Sequence, residues 1–291
     1  MPERNHSMYD LTDINQIRTI MKRFGKNFSK SLGQNFLTSP ETIDKIVEGS
    51  GVGKETPVLE IGPGVGVLTA ALAQAAEKVV TVELDAKLLP VLEYTLSDFD
   101  TITIVNEDIL KLDLPALCAE RFGGKKAAVV ANLPYYITTP ILMRLLEEKE
   151  CFSSITVMVQ KEVAQRMAAA PGSKDYGSLS IAVQYHAEAK LLTVVPPEFF
   201  VPPPKVSSAV VRLDILEKPS VECRDHKLFF RLVRASFAQR RKTLVNGIAN
   251  AGIGFSKQQV AEALEGMGLD PSIRGERLSL EQFALLADRL C

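Results

Sequence analysis

From Pro57 to Leu216 the chain alternates short runs rich in β-branched residues with longer stretches of helical spacing. This alternation constrains the fold more than any other feature. Parallel strands cannot be joined by tight turns and need a crossover of a dozen or more residues, usually a helix. Strand candidates are Val58–Ile61, Lys78–Val82, Thr101–Val105, Ala127–Ala131 and Ile155–Val159. Two later runs, Ala187–Val195 and Val206–Ile215, leave little room for a helix between them and are expected to pair as an antiparallel hairpin at one sheet edge. Ser39-Pro40-Glu41 supplies an N-cap, a first-turn proline and a first-turn acid, opening a helix to about Val47. Residues 1–217 are therefore expected to form an α/β, Rossmann-like domain. After Glu217-Lys218-Pro219-Ser220 the strand pattern stops, and the helical periodicity of 218–291 predicts a small all-α domain.

The first strand runs into Glu60-Ile61-Gly62-Pro63-Gly64-Val65-Gly66 and then the apolar helical stretch Val67–Ala75. Glycines here let the backbone turn tightly and let a ligand approach it. A dinucleotide fingerprint would need Gly or Ala at position 67, which is Val, and Pro63 would sit inside its phosphate-contacting turn. The E-x-G-x-G-x-G pattern resembles instead the first motif of the S-adenosylmethionine methyltransferases, whose cofactor has no phosphate to cradle. Gly62 and Gly64 are candidate cofactor contacts on that resemblance. Glu83 stands 21 residues after Gly62, where a carboxylate can accept hydrogen bonds from two ribose hydroxyls. Asn106-Glu107-Asp108 follows the third strand. In the methyltransferase fold a carboxylate at this place meets the exocyclic amine of the cofactor's adenine, while the plainer role for Asp108 is a helix N-cap.

The fourth strand leads directly into Asn132-Leu133-Pro134-Tyr135, which matches the N-[LIP]-P-[YF] motif of enzymes that methylate exocyclic amines of nucleobases. The chemistry explains the residue types. An adenine N6 lone pair is delocalised into the ring and is a poor nucleophile until the amine is drawn toward tetrahedral geometry. The Asn132 side-chain oxygen and a main-chain carbonyl near Leu133 or Pro134 can accept its two N–H bonds, and no strong base is then needed. Tyr135 offers a flat face for a base rotated out of its helix, worth about 1 to 3 kcal/mol. A strand-terminating turn would also use Asn and Pro.

With Ser31-Leu32-Gly33-Gln34-Asn35-Phe36-Leu37 before the first core helix, the whole chain resembles the ribosomal RNA adenine N6-dimethyltransferases of the KsgA/RsmA type. Further matches are Pro171-Gly172-Ser173-Lys174-Asp175-Tyr176-Gly177, Phe199-Phe200-Val201-Pro202-Pro203-Pro204-Lys205-Val206 and Phe237-Ala238-Gln239-Arg240-Arg241-Lys242. The resemblance implies an S-adenosylmethionine methyltransferase fold, with Asn35, Leu37, Gly62, Glu83, Asp108 and Asn132 at the cofactor. It implies two adjacent adenosines in the 3′-terminal hairpin of small-subunit rRNA as substrate, each dimethylated during ribosome biogenesis, with a 30S precursor as partner. Phe200 would hold the target base opposite Tyr135, or else pack as the aromatic of a proline-stiffened loop. Tyr136 stands where many relatives have Asn, as a second wall of the base pocket or as a core residue.

Net charge is only −1, but it is segregated. Residues 218–291 hold 12 basic and 8 acidic residues, a net of +4, so the first 217 carry −5. Lys227, Arg231 and Arg234 fall at i, i+4 and i+7 with Arg241 one heptad later, while Leu228, Leu232 and Ala235 share another side. This predicts a phosphate-contacting helix, to which Lys205, Arg240, Arg241 and Lys242 add as RNA-binding candidates. A second basic stretch, Ile14 to Pro40, carries Arg18, Lys22, Arg23, Lys26 and Lys30 with Phe24, Phe28 and Phe36 interleaved. Taken alone it reads as a solvated helix face.

Three other functions compete. Enzymes that methylate one adenosine of large-subunit rRNA and confer antibiotic resistance typically show Ser before Gln-Asn-Phe and Asn-Ile-Pro-Tyr, where this chain has Gly33 and Leu133. A non-catalytic ribosome-assembly factor would keep the fold as an RNA platform, against which the intact Glu83, Asp108 and Asn132 speak. A DNA adenine methyltransferase would usually show Asp-Pro-Pro-Tyr. Four cysteines without a C-x-x-C pair and three scattered histidines give no metal site to expect. The longest uncharged run is 17 residues, broken by Pro134 and Pro140, where a membrane span needs about 20 apolar residues. The expected protein is a cytoplasmic monomer.

Overall fold

The computed structural model describes residues 9–26, 34–239 and 241–291. Two compact units result, one formed by the chain up to Ala164 together with Lys190–Ile215, the other by Gln165–Ala189 together with Leu216–Cys291. The break after Ile215 falls beside the expected domain boundary, whereas residues 165–189 were expected in the first domain and cluster with the second unit.

The first unit contains α1 (Ile14–Arg23), β1 (Phe36–Leu37), α2 (Pro40–Ser50), β2 (Pro57–Ile61), α3 (Val67–Ala75), β3 (Lys78–Glu83), α4 (Leu89–Thr95), β4 (Ile102–Asn106), α5 (Leu114–Phe122), β5 (Ala127–Asn132), α6 (Thr138–Glu147) and β6 (Phe152–Gln160). After an excursion through the second unit the chain returns in β7 (Ala187–Val195), β8 (Phe200–Val201) and β9 (Ser208–Ile215). The sheet order is β4-β3-β2-β5-β6-β9-β7. The first five of these strands are parallel, and β9 runs antiparallel to β6. The late pair thus occupies one edge, as expected. All five residues of β2 are buried, which a strand covered on both faces requires. α2 has the expected Ser39 cap, accepting from the Thr42 amide, with Pro40 in the first turn. It outlasts Val47 because Gly49 and Ser50 stay helical and Gly51, at φ 67°, closes it. A two-stranded β1–β8 ladder pairs Leu37 with Phe200; strands this short leave no period to read in a sequence.

In the second unit, α7 (Lys161–Met167) brings the chain in, followed by α8 (Ser178–His186), α9 (His226–Ala238), α10 (Leu244–Asn250), α11 (Lys257–Glu265) and α12 (Leu280–Leu290). Tyr176, Ile181 and Tyr185 are buried with Phe229, Leu232, Val260 and Phe283 in one core. That shared burial is why residues 165–189 belong with the last helices.

The strand order carries a functional consequence. From β2 the chain steps outward through β3 and β4, then returns to the other side of β2 as β5. Open α/β sheets hold ligands outside the carboxyl ends of the strands at such a reversal.

Candidate cofactor and catalytic site

An open cavity lies at this place, within about 1090 Å³ of space that includes open solvent. Asn35, Leu37, Gly62, Gly64, Glu83, Asp108 and the tetrapeptide Asn132-Leu133-Pro134-Tyr135 all line it. Every cofactor and tetrapeptide candidate drawn from the sequence is thus brought to one wall or another.

The glycine turn has a reason beyond ligand approach. Gly64 and Gly66 both have positive φ, 62° and 91°. A Cβ on Gly64 would come within 2.8 Å of the Phe36 ring, and one on Gly66 within 2.8 Å of Leu96. The turn is therefore moulded by packing, against Phe36 of the cavity lining and against Leu96 outside it, while Gly62 faces Pro134 at van der Waals distance. Gly66 is the N-cap of α3 and offers no side chain to accept the amides of its first turn.

Glu83 closes β3 and is 7% exposed. Its Oε1 accepts the Asp85 amide at 2.7 Å. Burial raises its carboxyl above the ordinary range, partly offset by backbone amides of Asp85, Gly64 and Leu84. Asp108 is three-quarters buried, accepts the Leu110 amide at 3.0 Å and lies 3.7 Å from Lys111. It forms a local turn, and the N-cap of α5 is Asp113.

One wall residue deepens the picture. Glu60, within the buried β2, has its carboxyl pushed up to about 7, by burial first, with the Thr69 and Thr81 hydroxyls pulling it back and the charge of Glu83 raising it further. None of Glu60 Oε2, Thr69 Oγ1 and Thr81 Oγ1 has a hydrogen bond of good geometry. The folded state therefore holds this proton more tightly than the unfolded chain, whose carboxyl titrates near 4.5. Stability is full below that value and falls as pH rises toward 7. Glu60→Gln should accordingly gain on wild type between pH 5 and pH 8 in thermal unfolding, and parallel pH profiles for the two would refute the neutral, buried carboxyl.

At the end of β5 the Asn132 side-chain amide donates to the Asn35 carbonyl at 3.2 Å. Because that partner is an acceptor, the nitrogen faces it and the carboxamide oxygen is left over. No described residue donates to that oxygen. The Pro134 carbonyl is occupied, accepting the Thr138 hydroxyl at 3.0 Å and the Ile137 amide at 3.3 Å. Of the two carbonyls the sequence left open, Leu133's has no donor among the described residues. Tyr135 is held by a 2.5 Å hydrogen bond between its hydroxyl and Ser208 Oγ. Tyr136 is 53% exposed and lines the cavity, so it is not a core residue.

Phe200 does not line the cavity. Its ring is 2% exposed and packs with Leu37, Ile43, Ile46 and Val195, away from the cavity lining. The β1–β8 pairing turns it inward, so it is the packing aromatic of a proline-rich loop in this conformation, while Phe199 is the exposed one.

Lys227, Arg231 and Arg234 are exposed along α9, and Leu228, Leu232 and Ala235 are buried on its other side. Arg231 also donates to the Ile253 carbonyl at 3.1 Å. Arg241 does not continue this helix. α9 ends at Ala238 because Gln239, at φ −135° and ψ 77°, leaves helical geometry, and Arg241 and Lys242 stand exposed in the turn before α10. Lys205 is exposed. Arg240, and with it Phe28, Lys30 and Ser31-Leu32-Gly33, lie outside the described residues. No group of three metal-ligating side chains, and no helix long and apolar enough to cross a membrane, occurs among the described residues.

A sheet of this order with its crevice at the reversal, entered by a glycine turn between β2 and α3, is the Rossmann-like fold of the S-adenosylmethionine-dependent methyltransferases. Solved structures of that class superpose on it. A dimethyladenosine transferase from Plasmodium falciparum matches with a TM-score of 0.71 at 27% identity, over 86% of this chain and 95% of that one. The 23S rRNA methyltransferase ErmE matches with a TM-score of 0.64 at 28% identity, over 88% and 99%. Within the class, this chain belongs to the ribosomal RNA adenine dimethylase family, whose model covers residues 25–290. Ribosomal RNA small subunit methyltransferase A of Lachnoclostridium phytofermentans is 50% identical over 280 residues, 96% of this chain and 97% of its own. The protein of that name from Bacillus licheniformis is 50% identical over 284 residues, 97% of each.

Proposed function

We propose that this protein uses S-adenosylmethionine to dimethylate N6 of two adjacent adenosines in the 3′-terminal hairpin of small-subunit (16S) rRNA. The observation that carries the reading is the pair of unclaimed acceptors, Asn132 Oδ1 and the Leu133 carbonyl, at a cavity whose other wall holds Glu83. When bound, the cofactor supplies an electrophilic methyl group. The residues present fit it: Glu83 has one carboxylate oxygen beyond that taken by Asp85, and Gly62 leaves the floor open. Asp108 would hold the adenine amine, and Asn35 and Leu37 would close over the ligand. Asn132 Oδ1 and the Leu133 carbonyl accept the two N–H bonds of the target amine, and a base stacked on Tyr135 presents its lone pair across the cavity. Because Tyr135 is tied to Ser208, that ring is oriented before the base arrives. The basic side chains of α9, with Lys205, Arg241 and Lys242, would grip phosphates of the rRNA or its 30S precursor.

The large-subunit alternative is less well supported, since full-length relatives named for the small subunit reach 50% identity against 28% for ErmE. Mass mapping of rRNA from a strain lacking the protein, before and after adding it back, tests the assignment. Two restored dimethyladenosines near the 3′ end of small-subunit rRNA are expected, and restoration only in large-subunit rRNA would overturn it. For the cofactor, Glu83→Ala should weaken S-adenosylmethionine binding by roughly 1.5 to 3 kcal/mol, the range for a hydrogen bond to a charged group. Calorimetry giving the wild-type dissociation constant would remove Glu83 from the site.

A further inference from the structure

Beyond the cavity, α1 poses a question that its packing does not answer. Its inner face is ordinary: Ile17, Ile20 and Met21 are at most 3% exposed and pack with Phe36, Val65, Leu88 and Val91. That apolar face alone holds the helix. Arg23 adds an anchor, donating to the Tyr94 hydroxyl at 2.5 Å with its guanidinium 4.5 Å from the ring centroid.

The outer face is what remains unexplained. Between Ile14 and Lys26 there are four basic residues and no acid. Arg18 and Lys22 are exposed, one helical turn apart, and neither pairs with an acid among the described residues. The nearest acids in sequence, Asp10 and Asp13, serve the start of the helix, Asp10 accepting from Thr12 and Asp13 from the Asn15 amide. A helix face that served only solubility would mix signs. Here cations stand alone, on a stretch of 217 residues whose net charge is −5.

We infer that the Arg18–Lys22 face of α1 is a second RNA-backbone contact, carried by the catalytic unit itself. The inference rests on the rRNA substrate proposed above. Residues four apart on a helix have Cβ atoms about 5–6 Å from each other, so the two cations can meet neighbouring phosphates. Their position suits the task. The residues beneath α1 include Val65 of the glycine turn and Phe36, which lines the cavity. Phosphates held on α1 are thereby fixed relative to the place where the target base enters. An affinity surface on the same compact unit as the site orients the substrate as well as binding it.

The test uses the full chain and small-subunit rRNA lacking the methyl marks, with binding measured across a salt series. Arg18→Gln/Lys22→Gln removes two cations while leaving the inner face intact, and Arg18→Glu/Lys22→Glu reverses them. Neutralisation should reduce the magnitude of the log K against log salt slope by about 1.8, from 0.9 per phosphate contact, and lower affinity roughly tenfold or more at low salt. Reversal should lower it further, with KM for RNA raised and S-adenosylmethionine affinity unchanged in both variants. An unchanged slope in both variants, or lost affinity at an unchanged slope, overturns the inference. Methyl transfer by the wild-type protein on the same RNA, and on 30S particles that carry it, keeps the two readings apart: if both fail, the rRNA assignment is wrong, and if either succeeds while the slopes agree, only the α1 surface is.

Discussion

Asn132→Ala should lose at least about 100-fold in methyl transfer while still binding small-subunit RNA. The substitution removes one of two acceptors that draw the target amine toward tetrahedral geometry, an interaction made fully only in the transition state. It also releases the Asn35 carbonyl, whose partner is the Asn132 amide at 3.2 Å. Asn132→Asp separates these effects. The carboxylate retains an acceptor for the substrate amine but faces the Asn35 carbonyl with a second oxygen, so it should recover little. Wild-type turnover in Asn132→Ala would refute the role of the tetrapeptide. A loss confined to cofactor affinity would reassign Asn132 to cofactor binding alone.

Reversing Lys227, Arg231 and Arg234 to Glu should separate docking from chemistry, because α9 and the cavity belong to different compact units. If each residue neutralises one phosphate, the magnitude of the salt slope should fall by about 2 to 3, with a large loss of RNA affinity at low salt. Turnover should fall with it, and cofactor affinity should stay nearly unchanged. Arg231 also donates to the Ile253 carbonyl, so Arg231→Gln alone measures how much of any loss is local packing. A triple variant that binds small-subunit rRNA with the wild-type slope would make the stripe a solvated face, leaving the α1 surface to carry the RNA.

Much of this protein could be read before any coordinates. Each strand of the parallel sheet falls within three residues of its expected start, because a strand buried on both faces must be written in apolar, β-branched residues. The cofactor and tetrapeptide candidates from Gly62 to Tyr135 gather around one cavity because each follows or closes a strand of the parallel sheet, and parallel strands bring their carboxyl ends to the same side; Asn35 and Leu37 reach it from the separate β1–β8 ladder. The amphipathic face of α9 was legible for a similar reason: a period of 3.6 places residues on a surface without reference to any partner.

What escaped the sequence depends on contacts between residues far apart in it. Residues 165–189 belong to the helical unit because Tyr176 and Tyr185 bury themselves with residues beyond 228. Phe200 lies in the core because β8 pairs with β1, more than 160 residues away. Arg241 leaves the basic stripe because backbone geometry at Gln239 ends the helix. The Thr138 hydroxyl occupies the Pro134 carbonyl and leaves that of Leu133 without a donor among the described residues, and the Asn35 carbonyl orients the Asn132 amide. Residue types and periods thus determine which strands, turns and chemical groups this chain has. Which oxygen is free and which ring is buried is decided only when folding brings a distant donor or apolar wall within reach, since hydrogen bonds and close packing act over a few ångströms of space whatever the separation along the chain.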